Sequence, residues 1–206
     1  MRGKRGIGAA VWQFAERLPQ GDPFAVAELL HLGPRTAIDK ALSRLVRAGR
    51  LMRVTRGIYV RPEVNTFLGV VAPDVTKVAM ASARSRGEIL ASTGPTALNR
   101  FGLSTQVPIV TTYLTTGRSR VLRIGALVID FKHTSAKRIA FGDTAQGDAL
   151  TALLYLGRDQ VTAHTLKTIT SKLTESQTRT LRTSRKVPAW IRAALRSIDG
   201  PAPHAA

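Results

Sequence analysis

The chain has 206 residues, 44% of them hydrophobic and none of them cysteine. That content supports a real core and argues against global disorder, and the lack of thiols excludes disulfides, thiolate zinc sites and a cysteine nucleophile. Lys and Arg number 31 against 13 Asp and Glu, a formal charge of +18, which points to a polyanionic partner, usually nucleic acid. No apolar run approaches the length of a membrane span. The basic N-terminus leads into AAVWQFAERL, which polar and charged residues interrupt, so no signal peptide is expected and a cytoplasmic location fits best.

The charge is uneven. Residues 1–61 carry 12 basic and 4 acidic side chains, residues 62–157 carry 10 and 6, and residues 158–196 carry 9 and 2. Two basic ends bracket a milder centre. A genome-wide Arg bias would raise the total, but it would not place cations on one helix face.

Ile7, Ala10, Val11 and Phe14 recur at helical spacing and predict a first helix ending near Leu18-Pro19. Phe24, Val26, Leu29 and Leu30 predict a second, shorter helix closed by Leu32-Gly33. After a short glycine-containing turn, residues 34–47 predict a third. Its inner stripe is Ile38, Leu42, Leu45 and Val46, which turns Arg35, Thr36, Asp39, Lys40, Ser43, Arg44 and Arg47 outward. Pro34 suits a helix start and Gly49 a helix end. RLMRV and IYVRP then flank Thr55-Arg56-Gly57, which reads as a three-residue hairpin loop.

A helix sized for the major groove beside a basic hairpin is how a winged helix-turn-helix holds DNA. The expected DNA contacts are the seven outward residues of the helix together with Arg53 and Arg56 of the hairpin. The plainer alternative is a helical scaffold with a solvated basic face.

Pro62 closes the hairpin, and Glu63–Pro73 reads as a connector. Val75–Ala83 predicts a helix with Gly87 near its end. EILASTG reads as a short strand or a helix end before a turn at Gly94-Pro95, and Pro95–Phe101 as a short helix stopped by Gly102. VPIVTTYLTTG, SRVLRIG and ALVIDFKHT are β-branched segments that predict a three-stranded antiparallel meander. Gln146–Leu156 predicts a helix with Ala149, Leu150, Leu153, Leu154 and Tyr155 inward. Helices over Asp159–Leu173, Ser176–Thr183 and Pro188–Ile198 follow, and GPAPHAA reads as a disordered tail. The expected fold class is α+β: a winged helix-turn-helix over residues 1–62, a small antiparallel sheet with helices and a helical end over 63–198, and a tail over 199–206.

Few motifs suggest catalysis. His31, His133, His164 and His204 have no metal-ligand spacing. No phosphate-binding glycine signature is present. Ser92-Thr93-Gly94-Pro95 reads either as an anion cradle or, preferably, as a plain turn before a helix. Asp130, Asp143 and Asp148 each have a local explanation: a solvent-facing strand position, a turn, and the first turn of a helix. No enzyme activity, metal or cofactor is expected. Lys167, Lys172, Arg179, Arg182, Arg185 and Lys186 form a basic end that reads either as a solvated face or as a surface for an acidic partner or DNA phosphates.

TRGIYVRP, then STGPTALNRFGLSTQVP, then VTTYLTTGRSRVLRIG, in this order, resemble the AbiEi-type antitoxins of type IV toxin-antitoxin systems over roughly residues 5–195. The resemblance implies a winged helix that represses its own operon by binding promoter DNA. It also implies a C-terminal part that neutralises a co-encoded nucleotidyltransferase-like toxin. Candidate partner surfaces are Arg118, Arg120 and Arg123 of the Arg-rich hairpin, and Lys167, Lys172, Arg179 and Arg182 of the basic end, because charge of one sign steers an acidic partner. Two other functions remain open at this level. One is a winged-helix transcription regulator whose C-terminal domain serves dimerisation or ligand sensing. The other is an RNA-binding protein, against which the 5% aromatic content weighs.

Overall fold

The structure, a computed structural model, describes residues 6–67, 69–105 and 110–198. It is mixed α+β, with helices at both ends. It divides into two compact units, Met1–Glu88 with Leu122–Ile129, and Ile89–Val121 with Asp130–Ala206.

The first unit begins with α1 (Ile7–Arg17), β1 (Pro23–Ala25), a 3-10 helix (Val26–Leu32) and α2 (Arg35–Arg47). The hairpin β2 (Met52–Thr55) and β3 (Ile58–Val60) follows, then β4 (Glu63–Asn65), β5 (Gly69–Val71) and α3 (Val75–Arg84). Val11, Phe24, Leu29, Ile38 and Leu42 form the buried centre. Phe14 meets Phe24 edge-on at 5.5 Å, and Phe24 stacks on Tyr59 at 6.3 Å. Each such large side chain contributes about 1.5–3 kcal/mol relative to leaving it in water.

Three expectations are corrected here. Phe24 is not helical. It lies in β1, which pairs antiparallel with β3 to give a three-stranded sheet of order β1-β3-β2. The following Val26 N–H donates to the Gly57 carbonyl at 2.9 Å, and Leu30 is exposed. That long-range pairing consumes the start of the expected helix and leaves a 3-10 segment. The hairpin loop is also tighter than expected. Thr55 pairs with Ile58, so only Arg56-Gly57 turn the corner, and the register irregularity falls at Val54. Finally, Glu63–Pro73 is not a plain connector, since β4 and β5 form a separate exposed hairpin. α3 packs against β1 and β3.

The chain continues with β6 (Leu90–Ser92), α4 (Gly94–Arg100), β7 (Thr111–Thr115), β8 (Arg120–Ile124) and β9 (Leu127–His133), of which Leu122–Ile129 are grouped with the first unit and the rest with the second. The helices α5 (Ala145–Leu156), α6 (Ala163–Thr170), α7 (Glu175–Thr183) and α8 (Ala189–Ser197) complete it. The first part of the strand expected from VPIVTTYLTTG lies outside the described residues, as does the expected tail. The four-stranded sheet has the order β6-β7-β9-β8, so the expected meander is corrected as well: β9 lies between β7 and β8. The Thr134 N–H donates to the Thr115 carbonyl at 2.8 Å. The C-terminal ends of β7 and β9 therefore meet, as they do when two strands run the same way. The short link from Thr116 to Ser119 closes over that end. His133 donates its N–H to Ser119 Oγ at 2.9 Å, and its Nδ1 lies 2.8 Å from the Gly117 carbonyl.

The helices build their own core from Leu150, Leu153, Ile169, Leu181, Ile191 and Leu195. α5 is buried on every side from Gly147 to Leu153, the signature of a central helix. Leu154 is only half-buried and Tyr155 is exposed, contrary to the inward placement expected of both. Threonines start these helices. Thr144, Thr162 and Thr174 accept hydrogen bonds from the N–H groups of Gly147, Thr165 and Gln177. Gln177 in turn accepts the Thr174 N–H at 2.9 Å, a reciprocal cap. The expected long helix over Asp159–Leu173 is interrupted, because a 3-10 turn at Arg158–Gln160 precedes the start at Ala163. Among the described residues no helix is long and apolar enough to cross a membrane.

Candidate nucleic-acid interface

α2 is the most polarised element of the first unit. Its 13 residues span about 20 Å, enough to lie along a major groove. Pro34 precedes it at φ −58°, already set for the helix. Ile38, Ala41, Leu42 and Leu45 are buried against the core, while Val46, expected in that stripe, is half-buried. The opposite face presents Arg35, Thr36, Lys40, Ser43, Arg44 and Arg47 to solvent. Arg44 and Arg47 also suit the negative end of the helix dipole.

The single carboxylate on this face is answered from within. Arg35 Nε lies 3.0 Å from Asp39 Oδ2, one turn along the helix. Such exposed pairs are worth a few tenths of a kcal/mol, so the pair trims the charge of the face without reversing it. Lys40, Arg44 and Arg47 form no ion pair with any described residue.

The hairpin is tied to the end of α2. The N–H groups of Arg50 and Leu51 both donate to the Leu45 carbonyl, at 3.0 and 3.2 Å, and Leu51 is buried. Arg56 stands exposed at the turn, whose second residue, Gly57, has φ 80°. Arg53 is exposed on β2, with its Nε 3.4 Å from the Thr55 carbonyl. The sequence reading did not single out Arg50, whose guanidinium lies over the Trp12 ring, 3.6 Å from its centroid. That contact fixes a further exposed cation beside the helix end. It joins residues too far apart in the chain for any local pattern to reveal. Arg61, by contrast, donates to the Leu18 carbonyl at 2.8 Å and serves the fold.

The expected partner surfaces are less uniform. Arg118 and Arg123 are exposed. Arg120 is half-buried, with its guanidinium 4.2 Å from the centroid of the Phe131 ring. Lys167 is exposed, Lys172 donates to the Arg100 carbonyl at 3.3 Å, and Arg179 pairs with Glu175 at 2.6 Å. Arg182 is half-buried, and its carbonyl accepts from Arg196. Arg118, Arg123 and Lys167 are thus the least encumbered of the set.

The acids have a different fate. Asp130 lies 3.9 Å from Lys132. Asp143 and Asp148 converge on Arg100, at 3.0 and 2.7 Å. Burial of the guanidinium opposes its charge, but the hydrogen bonds it donates to Asp148 and Asp143 outweigh that and hold Arg100 above its ordinary pKa. This is a structural ion cluster, with both carboxylates committed to the same cation.

None of the curated proteins matches the chain. The model for DUF6088, described as a family of unknown function, matches residues 11–181, and the chain belongs to that family.

Proposed function

We propose that this chain is a DNA-binding autorepressor and antitoxin rather than an enzyme. In this reading the first unit is a winged helix. α2 enters the major groove of promoter DNA and the β2–β3 hairpin tracks the adjacent backbone. The observation that carries it is the outward face of α2, where exposed Lys40, Arg44 and Arg47, with no ion-pair partner among the described residues, stand beside a hairpin bearing Arg53 and Arg56. Phosphate contacts from the hairpin supply affinity, and side chains of the helix supply sequence discrimination. The excess of cations over acids adds the non-specific attraction that any such protein needs.

The second unit is read, from the AbiEi-like segments, as the part that neutralises a nucleotidyltransferase-like toxin in the cytoplasm. Exposed Arg118, Lys167, Lys172 and Arg179 of this unit give an acidic partner several points of attraction. A nucleotidyltransferase-like reading frame found next to the gene would support the pairing.

The test uses the full chain. Binding to the promoter fragment upstream of its own gene is compared with binding to scrambled DNA, for wild type and for Lys40→Ala with Arg44→Ala. Selective loss on the promoter supports the reading, and unchanged binding overturns the assignment of α2. For the second role, cells expressing the neighbouring toxin are rescued with wild type or with Lys167→Glu, Lys172→Glu and Arg179→Glu. Full rescue by the reversed variant removes this surface from the proposal.

A further inference from the structure

The second unit contains a half-open cleft of about 350 Å³, within the range of small-ligand sites. One wall is the junction of β6 and α4 at Thr93-Gly94-Pro95, and the opposite wall is the end of β9 at Lys132-His133. α5 contributes Thr151, Leu154 and Tyr155.

Three features of this cleft call for a ligand. The first is charge. Lys132, His133 and Arg138 all line it and are all exposed, and no carboxylate lines it. Among the described residues Lys132 has only the distant Asp130 contact at 3.9 Å. His133 Nδ1 faces the Gly117 carbonyl at 2.8 Å. A carbonyl only accepts, so that nitrogen carries a proton, and Nε2 is an acceptor in the neutral ring and a donor to an anion in the imidazolium.

The second feature is an exposed aromatic held in place. Tyr155 is 59% exposed, yet its position is fixed by backbone contact. A Cβ built on Gly94 would lie 2.2 Å from Tyr155 Cγ, so only glycine permits the ring to lie there. The third is an orphan. Thr151 is 6% exposed, and its Oγ1 has no hydrogen-bond partner among the described residues. Buried hydroxyls are ordinarily paired.

Cations without acids recognise a phosphate, and a fixed, exposed ring recognises a nucleobase. We propose that this cleft binds a nucleoside monophosphate, either free or as the 5′-phosphorylated end of a single strand. The phosphate meets Lys132, His133 and Arg138, and the base stacks on Tyr155. The proposal rests on residues of the second unit alone, so it stands or falls independently of the DNA-binding reading of α2.

The test is calorimetric titration of the full chain with AMP, adenosine and inorganic phosphate in moderate salt, which suppresses unspecific anion binding by a highly cationic protein. The expected result is saturable one-to-one binding of AMP, with adenosine and phosphate each at least tenfold weaker. Arg138→Ala and Tyr155→Ala should each weaken AMP about tenfold, while Tyr155→Phe should retain it. Both side chains are exposed, so thermal melts of the variants should stay close to wild type. A short 5′-phosphorylated strand compared with its 5′-hydroxyl counterpart identifies the source. Preference for the phosphorylated strand over AMP assigns the site to strand ends, and equal or weaker binding assigns it to free nucleotide. Absence of saturable AMP binding overturns the proposal, as does AMP binding that is indifferent to both Arg138→Ala and Tyr155→Ala.

Discussion

Arg44 and Arg100 are the same side chain put to opposite uses. Arg44 stands on the outer face of α2 with no ion-pair partner among the described residues, alongside Lys40 and Arg47. Arg100, at the end of α4, lies between Asp143 and Asp148, whose side chains are 11% and 8% exposed. An exposed cation without an ion-pair partner adds little to stability, so on a patterned face it stays free to meet an outside partner. A cation between two buried carboxylates is explained by the fold. A count of arginines measures neither role; only the surroundings of each one do.

The sharpest way to break this comparison is to remove one member of each kind. Arg100→Met should cost about 2–3 kcal/mol, because two sheltered carboxylates lose their counter-charge; partial exposure of Arg100 keeps the figure below that of a fully buried pair. The check is the urea midpoint of the variant against wild type. Replacing Lys40 and Arg44 together with Ala should leave the midpoint within about 0.5 kcal/mol. If the two variants lose equal stability, the distinction between binding and structural cations collapses.

The second effect is on recognition. Loss of one base-edge contact removes about 1–3 kcal/mol of discrimination, so Lys40→Ala or Arg44→Ala should weaken promoter binding by roughly tenfold while changing scrambled DNA much less. Equal loss on both would show that these side chains touch phosphate only. The hairpin should behave in the complementary way. Arg53→Ala and Arg56→Ala should each reduce the log–log salt slope of binding by about 0.9. An unchanged slope across a salt series would mean that the hairpin stays off the DNA.

The parts of the molecule legible in the sequence are those whose causes are local. α2 could be read because Ile38, Leu42 and Leu45 repeat at one helical spacing and their burial dictates the rest. Gly49 and Gly57 marked a helix end and a turn because their backbones are left-handed, at φ 69° and 80°. What could not be read depends on partners distant in the chain. β1 exists because it pairs with β3, with Pro23 opposite Val60. The placement of β9 between β7 and β8 is a choice of neighbour, to which strand propensity is blind. Asp148 was read as a helix-dipole acid, whereas its ion-pair partner is Arg100, 48 residues away. The Gly94 position read as a plain turn, although its actual constraint is the Tyr155 ring lying across it.

The smallest expected effect concerns a cation of intermediate kind. Lys77 on α3 forms an ion pair with Asp22 near β1. The hydrogen bond to Asp22, helped by its charge, holds the Lys77 pKa above the ordinary 10.5. A raised pKa in the folded state means that folding favours the protonated ammonium. The stabilisation is therefore fully present below 10.5 and is lost as pH rises through the higher folded value. Because Lys77 is exposed, the contribution should be small and weakened by salt. Asp22→Asn should lower the urea midpoint slightly at pH 7 in low salt, and that deficit should shrink as pH climbs past 10.5. A deficit that stays constant into the alkaline range would show that Asp22 supports the fold through something other than the charge of Lys77. The tie between α3 and β1 would then rest on packing alone.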